Sequence, residues 1–153
     1  MKKAGFLKVG FLSAILLGLL AGGGVAYAHD GAYLDTIMAP NGGQLRMAGI
    51  YHYELVVEKN SKELKDNPVI VFVTDHAGQK ISTAGATGTA TILSGKEKTT
   101  TKLVPDGENR MKGIARYAST ASMKGVISIT LPGKQTEQVR FTPLATAQNE
   151  HMH

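Results

Sequence analysis

From residue 50 to residue 142 apolar side chains recur mostly at every second position, the repeat of half-buried β-strands. The stretch IYHYELVVEK (50–59) puts Tyr51, Tyr53, Leu55 and Val57 on one face and His52, Glu54 and Glu58 on the other, with only Val56 breaking the polar side. NPVIVFVT (67–74) is apolar on both faces and opens with a proline, which predicts a central strand beginning at Val69. DHAGQK after it predicts a turn. Residues 88–104 form two β-rich runs around SGKE, a hairpin whose Gly95 can supply the positive φ of the loop. PDG (105–107) is a further turn, RMKGIARYA a short strand, and GVISITLPGKQTEQVRFTP a second hairpin across PGK. There Ile127, Ile129 and Leu131 face inward, matched by Val139 and Phe141 on the returning strand. SKELKDN is short and polar and predicts a loop. The pattern amounts to about seven short strands, the spacing of an all-β, Ig-like antiparallel sandwich. The expected organisation is a sandwich domain over 44–144, preceded by a mobile N-terminal segment (29–43) and followed by a flexible His/Met tail (145–153).

The first 28 residues change that picture, because they have the anatomy of a secretory signal. Met1-Lys2-Lys3 with Lys8 is a positive opening, Val9 to Leu20 an apolar run, and AYA a small-residue site that predicts cleavage after Ala28. The run ends in AGGG, short of the roughly 20 apolar residues of a membrane-spanning helix. With no cysteine, no lipid attachment site is offered, so the expected product is soluble and exported to the periplasm without a membrane anchor. Of 17 Lys+Arg, Lys2, Lys3 and Lys8 leave with the signal, which leaves a net charge of +2 against 12 Asp+Glu. That weak excess is spread along the chain without interleaved aromatics and does not predict nucleic-acid binding. The absence of cysteine also removes disulfides, thiolate chemistry and Cys-based zinc sites, so any soft-metal ligand must be His or Met.

Catalytic patterns are missing: there is no nucleophile elbow, no HExxH, no GxGxxG and no P-loop. The histidines are the unusual feature. His29 becomes the first residue after cleavage, where its α-amine and imidazole can chelate one ion, a nitrogen donor set that suits Cu(II), and Asp30 beside it offers an oxygen. His151, Met152 and His153 place two imidazoles around a thioether, a set suited to Cu(I) or Ag(I). His52 and Glu54 share a strand face, and the turn after the next strand can bring His76 near them. Each of these has an ordinary counterpart: a peptidase tolerant of His, a polar tail, a solvated sheet face, a turn residue. Met38, Met47, Met111 and Met123 are scattered and read as core or rim fillers. The lysines and threonines of KEKTTTK fit a solvated sheet face, with anion or small-molecule binding the alternative.

The segments APNGGQLRMAGIYHYELVVEKN, VIVFVTDHAGQKISTAGATGTATILSGKEKTTTKLVPDGENRMKGIARY and GVISITLPGKQTEQVRFT together resemble a small β-sandwich module. That module is associated with periplasmic adaptor subunits of heavy-metal RND efflux systems and with exported metal-resistance proteins. The resemblance spans roughly residues 39–142. It rests on a Pro-x-Gly-Gly opening, a strand ending in Glu-Leu-Val, a strand running into an Asp-x-x-Gly turn, a hairpin and a closing Arg-Phe strand. Asn41 stands where that family commonly has His before the Gly-Gly pair, whereas His52 lies near the family's His-x-Glu-Leu pattern. The resemblance implies a non-enzymatic protein that binds copper or silver for resistance, sequestration or delivery, with an efflux adaptor or another envelope protein as partner. Two rivals stand beside it. One is an interaction module that docks on an envelope complex with incidental histidines; the other is a copper-dependent oxidative enzyme built on the N-terminal His29, which needs two more imidazoles from the core, where only His52 and His76 are on offer.

Overall fold

A computed structural model describes residues 31–146. The cleavage site, His29 and Asp30, and His151, Met152 and His153 lie outside the described residues. Element order is α1 (Gly31–Asp35), β1 (Gln44–Ala48), β2 (Tyr51–Val57), β3 (Lys65–Asp75), β4 (Thr87–Ser94), β5 (Glu97–Pro105), β6 (Arg110–Tyr117), β7 (Lys124–Thr130) and β8 (Thr136–Phe141). Every pairing is antiparallel and the strand order is β1-β2-β3-β6-β5-β4-β7-β8. The chain is thus an all-β antiparallel sandwich, of eight strands where about seven are expected.

Two hairpins form where the turn residues predict them, β4–β5 around Gly95 (φ 59°) and β7–β8 around Gly133 (φ 70°). β5 joins the two halves: it pairs with β4 from Gly88↔Leu103 to Ser94↔Glu97, but with β6 only through Val104 and Pro105. The sheet bends there, and β1 and β8 come together at the far seam. Across that seam the Thr142 amide donates to Gln44 Oε1 (2.8 Å). The core between the halves takes the alternate residues of most strands, including Leu55, Val69, Val71, Ile92, Leu103, Met111, Ile127, Ile129, Val139 and Phe141. Met111 and Met123 are fully buried there, as fillers should be.

β3 begins at Lys65 and not at Val69, so the loop expected over SKELKDN ends early. Asn67 explains the extension. Its buried amide donates to Ser61 Oγ (2.9 Å) and to the Tyr117 carbonyl (2.8 Å), which holds the strand start against β6. Pro68, which has no N–H to give, contributes its carbonyl to the Tyr117 hydroxyl, and that hydroxyl accepts from the Glu58 amide (2.9 Å).

The N-terminal segment differs more. The described part of 29–43, expected to be mobile, contains α1 and a buried Leu34 (1% exposed), which with Ala39 and Leu45 forms a second small cluster. Arg46 clamps it to Asp35 through its two terminal guanidinium nitrogens (2.7 and 3.2 Å). The strand missing from the expected count, β1, belongs to this cluster. Its buried residue, Leu45, faces the N-terminal segment and not the main core, so no strong alternation marks it in the sequence.

Candidate functional site

β2 and β3 run antiparallel with His52 opposite Thr74, so β3 exits into its turn beside His52. That turn is held by Asp75, whose Oδ1 accepts from the Ala77 and Gln79 amides (both 2.8 Å) while its carbonyl accepts from Gly78 (3.1 Å). An aspartate bonding to the backbone two residues on is the common chemistry of such turns, and here it fixes where His76 sits. The result is a stacked imidazole pair: the rings of His52 and His76 are 4.8 Å apart, centroid to centroid, with 22° between their planes. The two core histidines singled out by the sequence are therefore neighbours.

On the other side, β1 places Met47 directly opposite His52 in the ladder. Residues opposite one another in an antiparallel pair have Cβ atoms roughly 5 Å apart on the same face, so Met47 and His52 share one face of the sheet. Met47 also packs against the Leu34–Ala39–Leu45 cluster, which ties this rim to the N-terminal segment.

Glu54, two residues along the same face, is not part of a ligand set. Instead of standing in solvent it is 3% exposed, and its carboxylate is used by the preceding turn. Oε1 accepts from the Asn41 amide (2.8 Å) and the Gly43 amide (2.9 Å), and Oε2 accepts from Asn41 Nδ2 (2.9 Å). Three donors on one buried carboxylate is what a buried charge requires. The Asn41-Gly42-Gly43 sequence makes this possible. A Cβ at Gly43 would collide with the Leu55 carbonyl, so only glycine lets the chain lie this close to β2. Asn41 is thus a structural donor.

Among the described residues no three His, Cys, Asp or Glu side chains come together as a metal-holding group. What the rim offers is two imidazoles and one thioether, a nitrogen and soft-sulfur set that suits Cu(I) or Ag(I) better than Zn(II) or Mg(II). Beside it lies a cavity of about 220 Å³ lined in part by Asn41, Glu54, Phe72, Thr74, Lys80 and Asn109. Met47 was legible only as a filler in sequence; the signal that singles it out is its register opposite His52, which requires β1 to be recognised as a strand.

No protein-family model matches the chain, and no curated protein matches it significantly. Among solved structures, a conjugative transposon lipoprotein from Bacteroides eggerthii superposes with a TM-score of 0.35 and 8% sequence identity, covering 61% of this chain and 96% of that one. A likeness that loose carries no argument about what this chain does. No described helix is long and apolar enough to cross a membrane.

Proposed function

We propose that this is an exported, non-catalytic β-sandwich protein that binds a soft transition-metal ion, copper or silver first, and sequesters it or hands it to an efflux adaptor or another protein of the periplasm. The observation that carries the reading is the meeting of His52 and His76 on one rim with Met47 across the ladder. Stacked rings do not both aim a nitrogen at one point, so ligation needs a side-chain rotation. His76 stands exposed on its turn and has room for one, while His52 and Met47 are held by the sheet. Soft monovalent Cu(I) and Ag(I) accept two or three nitrogen and sulfur ligands, so a site of two imidazoles and one thioether is chemically sufficient for either ion. Capture and release then proceed by ligand exchange at an accessible rim.

The test is an anaerobic Cu(I) and Ag(I) titration of the parent, His52→Ala, His76→Ala and the double variant. Each single substitution should weaken binding by about tenfold or more, since even loss of a residue that merely supports a ligand costs that much. Binding should also weaken on acidification, since only a neutral imidazole is a ligand. A double variant that binds like the parent would remove the rim from the account. A parent with no affinity beyond that of an ordinary surface histidine would make the docking module the better reading.

A further inference from the structure

The opposite face of β2 leads to a second place of interest. Tyr51 and Tyr53 point toward the interior, and Tyr53 is 1% exposed. Its hydroxyl is buried and has no hydrogen-bond partner among the described residues. A buried phenol normally finds a partner, and one left without costs stability. Across the interior, β8 carries Glu137 in the same phase as the buried Val139 and Phe141, so a carboxylate occupies a core-facing position at the strand's open end. Gly49, in the two-residue turn between β1 and β2, takes φ +56°, and a Cβ there would stand 2.7 Å from Glu137 Oε1. Turn and carboxylate are in close contact, and a side chain at position 49 would displace Glu137.

These groups surround a cavity of about 230 Å³ at the mouth of the sandwich, lined by Tyr51, Tyr53, Glu137 and Lys134 and rimmed by the Gly49–Ile50 turn and the β7–β8 hairpin. Neither Glu137 nor Lys134 is in an ion pair among the described residues. Burial together with the nearby Glu137 and Tyr51 pushes the Tyr53 phenol up to about 12, so it is a neutral donor at any physiological pH. Ligand sites are often found at the mouths of β-barrels, as apolar walls with a few converging polar groups.

From this convergence we infer that the mouth is a binding site for a small zwitterion of the amino-acid type, with its ammonium on Glu137 and its carboxylate on Lys134 and the Tyr53 hydroxyl. Charge complementarity selects the ligand: one unpaired anion and one unpaired cation bound the same small space, so a ligand with a single charge would leave one of them opposed. The volume limits it to a few heavy atoms, since cavities for drug-sized molecules begin at about 300 Å³. The aromatic face of Tyr51 is suited to the ammonium end. This site is independent of the histidine rim, which lies on the other face of the sheet.

The experiment is a titration of the isotope-labelled protein with L-alanine, ethylamine and acetate, followed by amide chemical shifts. L-Alanine should give saturable shifts confined to residues 49–53 and 131–137, and each single-charge probe should bind about tenfold more weakly or worse. Glu137→Gln and Tyr53→Phe should each weaken L-alanine binding by about tenfold. Tyr53→Phe should meanwhile melt at or above the parent temperature, because the hydroxyl it removes has no partner to lose. That combination separates a ligand contact from a structural one. Absence of saturable shifts in the parent, ethylamine or acetate binding as tightly as L-alanine, or unchanged binding in both variants would each overturn the inference.

Discussion

The Glu54 carboxylate supports the strongest structural expectation, because it holds a whole segment through one side chain. Glu54→Ala removes the acceptor of the Asn41 and Gly43 amides and of Asn41 Nδ2. Hydrogen bonds to a charged group contribute about 1.5–3 kcal/mol each. The three hold the same turn and are not additive, so the expected loss is about 3–5 kcal/mol, a large share of the roughly 5–15 kcal/mol that stabilises a typical domain. At about 3 °C per kcal/mol for a chain of this size, the melting temperature should fall by about 10 °C or more. Glu54→Gln should cost only about 1–2 kcal/mol. Its carbonyl oxygen can still accept the two backbone amides, and Asn41 can turn its own amide to accept from the new NH₂. The assay is thermal or urea unfolding together with hydrogen exchange at Asn41 and Gly43, whose amides should lose protection in the alanine variant before the core does. An alanine variant that melts within about 2 °C of the parent, with both amides still protected, would refute the assignment of this carboxylate as the clamp of the N-terminal segment.

Two further outcomes follow from the same structure. The Tyr53 phenol, raised from 10.0 to about 12, holds its proton more tightly folded than unfolded. Stability should therefore be intact below about pH 10 and fall by about 2–3 kcal/mol as the pH rises to about 12, a slope that Tyr53→Phe should largely remove in pH-dependent unfolding, leaving only what burial of Tyr117 adds in the same direction. Intact-mass spectrometry of the exported protein should give a chain starting at His29. An added Ala before His29 should then weaken Cu(II) binding, whereas deletion of His151–His153 should mainly weaken Cu(I) or Ag(I) binding; titrations in which both variants match the parent would restrict metal binding to the His52–His76 rim.

The parts of the fold that read clearly in sequence are those where one local signal carries the whole structure. Gly95 and Gly133 sit between alternating runs, and nothing distant is needed to make hairpins of them. The meeting of His52 and His76 was legible for a similar reason: adjacent antiparallel strands bring the end of one beside the start of the other. The burial of Glu54 is hidden from the sequence because alternation assigns a residue to a face without saying what covers that face, and the cover here is a turn 11–13 residues upstream. The packing of the N-terminal segment is hidden for a related reason. Leu34 and Ala39 follow no period, and their burial comes from contact with Leu45, a strand residue whose own apolar side faces away from the main core. The Glu137 position was open to reading, since its phase with Val139 and Phe141 is visible in TEQVRF, but its significance depends on Tyr53 standing opposite without a hydrogen-bond partner.

Both proposed sites are built on β2, and the geometry of a strand explains how they stay separate. Successive side chains point to opposite faces, so His52 meets His76 and stands across the ladder from Met47 on the outside while Tyr53, the next residue, reaches the mouth inside. Each face has its own support. The outer rim depends on the register of β1, which the Arg46–Asp35 and Glu54–Asn41 contacts hold in place, and the inner mouth depends on Gly49 admitting Glu137. The short β1–β2 turn is common to both, because it fixes Met47 opposite His52 on one face and closes the cavity with Gly49 and Ile50 on the other. A residue in that turn acts on both sites through the register of a single hairpin, whereas a change at His52 or at Tyr53 acts on one face and leaves the other's side chains where they are.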